Sequence, residues 1–309
     1  MKIIIDTDPG QDDALTILLS VISEEIDLLG VTTVSGNVSV AQATENALQT
    51  LDLAGRPDIP VHAGADRPLL RAPVNAMHVH GRTGFEGADL PPASRRATPG
   101  HAVDFIIDTV MQHPPQDITV CAIGPMTNLA LALAREPELR TRIGRIVSMS
   151  GAFSEVGNIT PSAEFNIYVD PHAAEIVLAS GIPLVMMPLD LTHKLHTSAE
   201  RLARFRAIPN RVGPVVADWL TFEKRFEATK YGTDGGPLHD PNTVLWLLRP
   251  DLYQGRDVSV RVETGSELTM GMTVVDWWQI TDHPRNVHFI READVPALYD
   301  VITERLARF

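Results

Sequence analysis

Eight residues near the start of the chain carry four carboxylates: Asp6, Asp8, Asp12 and Asp13. Ile3, Ile4 and Ile5 precede them without polar alternation, which predicts a strand buried on both faces, as in a parallel sheet covered by helices. Pro9-Gly10 breaks that strand, and Ala14 to Val21, with Leu15, Leu18, Leu19 and Ile22 at helical spacing, predicts a helix. Asp6 and Asp8 then share one face of the strand end. Asp12 and Asp13 open the helix, where the positive end of the dipole tolerates negative charge. One carboxylate is enough to cap a helix, and Asp-Pro-Gly is in general only a turn. Four in this order exceed what capping requires. They repel one another unless protons or a cation intervene, and a hard divalent cation with oxygen ligands is the simplest resolution.

The elements needed to position such a cluster follow along the chain. Ile26 to Val34 reads as a second strand, ending at Ser35-Gly36-Asn37, and Ser39 can cap a helix with Ala43, Ala47, Leu48 and Leu51 on one face. Ile59-Pro60-Val61 reads as a third, short strand. Later strands are expected at Ile118 to Ile123, Ile143 to Met149 and Pro183 to Leu189, with helices between them. This alternation predicts an α/β fold with an open, mostly parallel sheet flanked by helices and right-handed crossovers. Several strands end in polar or glycine-rich turns: Asp8 to Asp13, Gly36-Asn37, Gly124 to Asn128, Ser150-Gly151 and Asp190. Ligands in such sheets bind at the carboxyl ends of the strands, so the polar residues gather at one edge. Val258 to Val262, Met270 to Trp278 and Val287 to Ile290 read as further strands, and Val295 to Ala307 as a terminal helix.

Three other stretches offer chemistry. Residues 67–100 are rich in Pro, Gly, Arg and Ala, with no helical or strand period, and contain His78 and His80. Without a thiolate or a third histidine these read as loop histidines rather than metal ligands. In Ala163-Glu164-Phe165-Asn166-Ile167, Glu164 and Asn166 flank Phe165 and face the same way if the segment is extended. His239-Asp240-Pro241 precedes a helical run and on local grounds is a cap followed by a first-turn proline.

Asp6-Thr7-Asp8-Pro9-Gly10-Gln11-Asp12-Asp13-Ala14 resembles the signature of the nucleoside hydrolases, and residues 78–87, 158–167 and 238–241 resemble further family stretches in the same order. The resemblance spans nearly the whole chain. It implies a Rossmann-like fold, cleavage of the N-glycosidic bond of ribonucleosides to ribose and free base, and one tightly bound Ca²⁺. By position it implies Asp8, Asp13, Asp240 and the main-chain carbonyl of Ile123 as calcium ligands, and Asp8 as the acceptor of a water proton. It places Asp12 and Asn37 around the 2′-hydroxyl, Asn166 at the 3′-hydroxyl, Asn158 and Glu164 at the 5′-hydroxyl, and Met149 beside the ribose. His239 becomes the general acid for the leaving base, with His80 and Tyr231 as base contacts. Between Met149 and Glu164 the chain carries one residue more than the family pattern, which bears on Asn158.

The bulk properties fit that reading. The chain has 309 residues, 44% of them apolar, and is read as one catalytic domain over residues 1–309. A net charge of −13 argues against nucleic acid and anionic membranes as partners. The single cysteine, Cys121, excludes an intrachain disulfide and sits in an apolar run, as a buried small residue does. No uncharged apolar run is long enough to span a bilayer, and the start of the chain lacks a signal-peptide pattern. A cytoplasmic homodimer or homotetramer acting on a small-molecule ribonucleoside is the expectation. Rival readings are a calcium-dependent nucleoside-binding protein without turnover, a Mg²⁺ phosphoryl-transfer enzyme and a structural domain. No Gly-Lys-Ser/Thr phosphate loop follows any strand, which weighs against the second. The third leaves four clustered aspartates without a purpose.

Overall fold

A computed structural model describes residues 1–232 and 235–309, with all their side chains except those of residues 78, 223, 224 and 226–231. The strands are β1 (Lys2–Thr7), β2 (Asp27–Thr33), β3 (Val61–Ala63), β4 (Ile118–Ala122), β5 (Arg145–Met149), β6 (Leu184–Met187), β7 (His196–Thr197), β8 (Gly236–Pro237), β9 (Tyr253–Val262), β10 (Thr273–Asp276) and β11 (Val287–Ala293).

The isoleucine run of β1 shows why it lacks polar alternation. Ile3 and Ile5 pack on one side of the sheet with Leu15, Leu18 and Leu19 of the helix Gln11–Ile22 and with Trp219. Ile4 packs on the other side with Ile106 and Leu129. All three are fully buried, and each such side chain contributes about 1.5–3 kcal/mol of hydrophobic stabilisation. Helices therefore cover both faces, as a parallel sheet requires.

Among the described residues nine strands form one sheet, in the order β10-β9-β11-β6-β5-β4-β1-β2-β3, and β7 and β8 form a small second one. The pairs from β3 through to β11 are parallel, and β9 is antiparallel to both β11 and β10. The fold is thus α/β with a mostly parallel central sheet, as expected. From β1 the chain winds outward to β2 and β3, then returns to the other side of β1 as β4. The connections diverge at β1 and β4, and this reversal of strand order opens a crevice at their carboxyl ends.

Some boundaries differ from the sequence expectation for identifiable reasons. The third strand begins at Val61 because Pro60 has no N–H to donate to the ladder. The carbonyl of Pro60 still accepts from Val31 N at 2.9 Å. The strand expected over Met270 to Trp278 contracts to Thr273–Asp276, since Gly271 turns at φ +78°. The segment after Glu164 is helical, Phe165–Val169, and not extended. Cys121 is fully buried, and burial pushes its thiol up to about 12. Among the described residues no helix is long and apolar enough to cross a membrane.

Candidate active site

The turn after β1 builds the core of the site. Gly10 precedes the helix Gln11–Ile22, and Asp13, in the first turn of that helix, accepts from Gly10 N at 2.9 Å and from Thr7 Oγ1 at 2.5 Å. Asp12 lies beside it. Asp240 arrives from the far end of the chain, at the start of the helix Pro241–Leu248, and donates its main-chain N–H to Asp12 Oδ2 at 3.4 Å. One carboxylate oxygen from each of Asp12, Asp13 and Asp240 falls within 4.8 Å of the others. Asp8 completes the cluster. Its Oδ2 accepts from Asn37 N at 2.6 Å, while its buried Oδ1 has no hydrogen-bond partner.

Two glycines make room for Asp8. A Cβ on Gly36 would stand 2.0 Å from Asp8 Oδ2, and one on Gly124 would stand 2.6 Å from Oδ1. Gly36→Ala therefore displaces the Asp8 carboxylate. We expect this variant to keep the wild-type circular dichroism spectrum and to lose on the order of a hundredfold in turnover, the scale set by small misplacements of reacting groups. Wild-type rates in Gly36→Ala would show that Asp8 need not stay in its cradle.

The electrostatics of the cluster call for protons or a cation among the carboxylates. Burial, then the charges of Asp13 and Asp12, hold Asp8 well above the ordinary carboxylate range. Burial and the charge of Asp12 push Asp13 up to about 7. Asp240 is raised well above its ordinary value by burial and by Asp12, Asp13 and Asp8. No thiolate or imidazole belongs to the group, so its donors suit a hard cation. The unpartnered Asp8 Oδ1 is the atom such an ion would satisfy.

A cavity opens beside the cluster, lined by Asp12, Asn37, His80, Ile123, Met149, Asn158, Glu164, Asn166, His239 and Asp240 together with apolar side chains. Asn166 Nδ2 donates to the carbonyls of Ile123 at 3.0 Å and Met149 at 3.1 Å, joining the residue after β4 to the last residue of β5. Glu164 and Asn166 reach the cavity by a route the sequence reading did not foresee. Glu164 is the N-cap of a short helix, accepting from Asn166 N at 2.8 Å, Ile167 N at 3.2 Å and Gly151 N at 3.0 Å, and Asn166 lies in its first turn. Burial pushes the Glu164 carboxyl up to about 7 against those N–H donors. Asn158 Oδ1 accepts from Phe165 N at 2.8 Å, fixing the loop that precedes the cap.

Two histidines occupy the cavity wall. His239 Nδ1 lies 2.8 Å from Thr192 Oγ1, with its ring edge-on to His193 at 6.0 Å. His80 Nδ1 lies 2.7 Å from Gln11 Oε1. The side chain of Tyr231 lies outside the described residues. Asp6 does not join the cluster. Its Oδ1 accepts from Thr32 Oγ1 at 2.6 Å and Asn128 Nδ2 at 2.8 Å, and burial pushes its carboxyl up to about 6. Trp277 packs against Phe153 and lies under the guanidinium groups of Arg256 and Arg291, and Trp278 is exposed. Neither tryptophan lines the cavity.

The sequence assigns no role to Thr7, Gln11, Gly36 or Gly124, although each stands in a turn singled out above, and Thr192 goes unmarked. Gln11 and Thr7 stand inside the aspartate-rich turn, so their position was a usable signal. Gly36 and Gly124 each follow a strand and border a polar turn, the usual mark of a close backbone approach. Thr192 carries no local signal, because its partner is 47 residues away.

A crevice at the switch point of a mostly parallel sheet, lined by buried carboxylates and two imidazoles, suits a small polar ligand and offers a candidate acidic metal site. Residues 3–300 match the family described as inosine-uridine preferring nucleoside hydrolase, and the chain belongs to that family. It is a hydrolase acting on nucleoside N-glycosyl bonds. An uncharacterised protein of Schizosaccharomyces pombe is 69% identical over 308 residues, covering 100% of this chain and 99% of that protein. The pyrimidine-specific ribonucleoside hydrolase RihA of Salmonella dublin is 44% identical over 307 residues, covering 99% and 98%. Among solved structures, the purine-preferring ribonucleoside hydrolase from Gardnerella vaginalis is similar with a TM-score of 0.93 at 32% identity, covering 99% of this chain and 98% of that one.

Proposed function

We propose that this chain, acting as one catalytic unit over residues 1–309, is a calcium-dependent ribonucleoside hydrolase that releases ribose and free base through an oxocarbenium-like transition state. The observation that carries the reading is the buried cluster of Asp8, Asp12, Asp13 and Asp240 beside a cavity lined by His80 and His239. Asp8, Asp13, Asp240 and the Ile123 carbonyl would hold the ion. When bound, the ion supplies a lowered water pKa and ligation of sugar hydroxyls.

The remaining work falls to side chains. Asp8 takes the proton of the water that attacks the anomeric carbon. Asp12 and Asn37 bind around the 2′-hydroxyl. Asn166 commits its Nδ2 to two carbonyls, which leaves Oδ1 as its acceptor for the 3′-hydroxyl. Glu164 and Asn158 bind the 5′-hydroxyl, and the apolar Met149 side chain packs against the sugar. Positive charge that develops on the ribosyl ring is favoured by the surrounding carboxylates, as in glycoside hydrolysis. His239 donates a proton to the departing base, with His80 and Tyr231 as base contacts.

The named relatives differ in base preference, one pyrimidine-specific and one purine-preferring. The decisive experiment is therefore base release from inosine, adenosine, guanosine, uridine, cytidine and 2′-deoxyinosine, each with and without a chelator. Multiple turnovers restricted to ribosides and abolished by chelation are expected. Release that stops at one equivalent per protein would favour a binding protein, and chelator-resistant turnover would remove calcium from the reading.

A further inference from the structure

The turn that carries the aspartates also grips a loop from elsewhere in the chain through Gln11. This side chain is fully buried in the first turn of its helix. Its Nε2 donates to two carbonyls, that of His80 at 3.1 Å and that of Glu86 at 3.2 Å. An amide nitrogen engaged by two carbonyls fixes which end of the amide is which, so the atom 2.7 Å from His80 Nδ1 is the oxygen Oε1. An amide oxygen only accepts. His80 must therefore present Nδ1–H, the less common tautomer of a free imidazole, and in the neutral ring the lone pair lies on Nε2. Any group that meets Nε2 of the neutral ring has to donate.

Two further contacts hold this arrangement. A Cβ on Gly10 would stand 2.6 Å from His80 Nδ1, so the ring is seated directly against the glycine of the turn. Asn46 Nδ2 bridges the same two segments, donating to the carbonyls of Pro9 at 2.8 Å and Thr83 at 2.7 Å. Within the loop, Glu86 accepts from Thr83 N at 3.0 Å and Thr83 Oγ1 at 3.0 Å. The loop thus has an internal lock and two amide ties to the aspartate turn. Only the Gln11 tie also touches a ring in the cavity wall.

We propose that Gln11 is a positioning residue: it sets His80 in the Nδ1–H tautomer and fixes the loop of residues 80–86 beside the cavity. The kinetic part of this inference rests on the cavity being the nucleoside site, and the tautomer part does not.

The test uses the full-length protein with isotope-labelled histidine ring nitrogens, the His80 signals being identified by their loss in His80→Phe. We expect Nδ1–H at His80 in the wild type and conversion to the Nε2–H form in Gln11→Met, which is similar in length but forms neither tie. KM for uridine and inosine is expected to rise on the order of tenfold in Gln11→Met, with kcat changing less. Gln11→Glu separates the two tasks, because a carboxylate still accepts from Nδ1–H but cannot donate to the carbonyls. It should retain the Nδ1–H signal while amide hydrogen exchange in residues 81–86 accelerates on the order of tenfold. A wild-type His80 protonated at Nε2, a Gln11→Met spectrum unchanged from wild type, or a reversed tautomer with KM unaltered would each overturn the proposal. If no riboside is turned over at all, the proposed function fails, while the tautomer and exchange measurements still decide the role of Gln11.

Discussion

Asp8→Asn and Asp13→Ala are expected to lose bound calcium and to cut base release by at least on the order of a thousandfold, the upper range for removal of a preorganised electrostatic group. Thermal unfolding with and without chelator gives an independent readout. In the wild type, stripping the ion leaves the buried Asp12, Asp13 and Asp240 carboxylates within 4.8 Å of one another and Asp8 under the charge of Asp13 and Asp12, so chelation should lower Tm. Asp8→Asn keeps an oxygen to accept the Asn37 N–H and removes one charge, so its Tm should hardly respond to chelator. Asp13→Ala additionally strands Gly10 N–H and Thr7 Oγ1, each buried group costing about 1–3 kcal/mol if left unsatisfied. The two variants should therefore share the loss of activity and differ in stability. The pH dependence has a definite sign. Asp13 is raised from 3.8 to about 7 in the folded chain, so between those values the folded state holds a proton that the unfolded state has released. Stability of the stripped protein should fall as pH rises from about 4 through about 7. Saturating calcium should reverse that slope, because the ion binds the deprotonated carboxylates. Full activity after exhaustive chelation, or a wild-type Tm indifferent to it, would defeat the metal assignment.

What the sequence made legible divides along physical lines. The isoleucine run of β1, the glycine-rich strand ends and the alternation of elements are local signals, and they predicted a parallel sheet with polar residues gathered at its carboxyl edge. The sheet order was less accessible, since nothing in β1 or β4 alone says that they are neighbours. Proximity of Asp240 to Asp12 was likewise invisible to local pattern, with the two 228 positions apart, and only the family resemblance suggested it. Asp6 shows the converse error of pattern reading. Period-two alternation grouped it with Asp8, yet β1 ends at Thr7 and Asp6 is taken up by Thr32 and Asn128. The extended reading of Glu164 and Asn166 failed for a related reason. A carboxylate accepting three backbone N–H groups at a helix start is a capping arrangement, and its usual sequence cue, an apolar run with helical period, is missing from a five-residue helix.

His239→Ala is expected to slow inosine and uridine by about 10²–10⁴-fold in kcat, the usual worth of a positioned general acid, while altering a nitrophenyl riboside by less than about threefold. The distinction follows from the leaving group, since nitrophenolate departs without a proton and a purine or pyrimidine anion departs poorly without one. The surroundings of the two cavity histidines suit different tasks. Gln11 faces His80 Nδ1 with an oxygen that can only accept. Thr192 faces His239 Nδ1 with a hydroxyl, which donates to a bare ring nitrogen or accepts from a protonated one by rotating. His239 can therefore keep its Nδ1 partner in either tautomer and in the charged state, as a residue that gives up and regains a proton on each turnover must. Thr192→Val removes the hydroxyl at nearly constant volume and should produce a smaller loss in the same direction, on the order of tenfold for inosine, with the nitrophenyl substrate again spared. Equal losses on both substrates in His239→Ala would show that the ring orders the cavity rather than protonating the base, and the acid would then have to be sought elsewhere on the cavity wall.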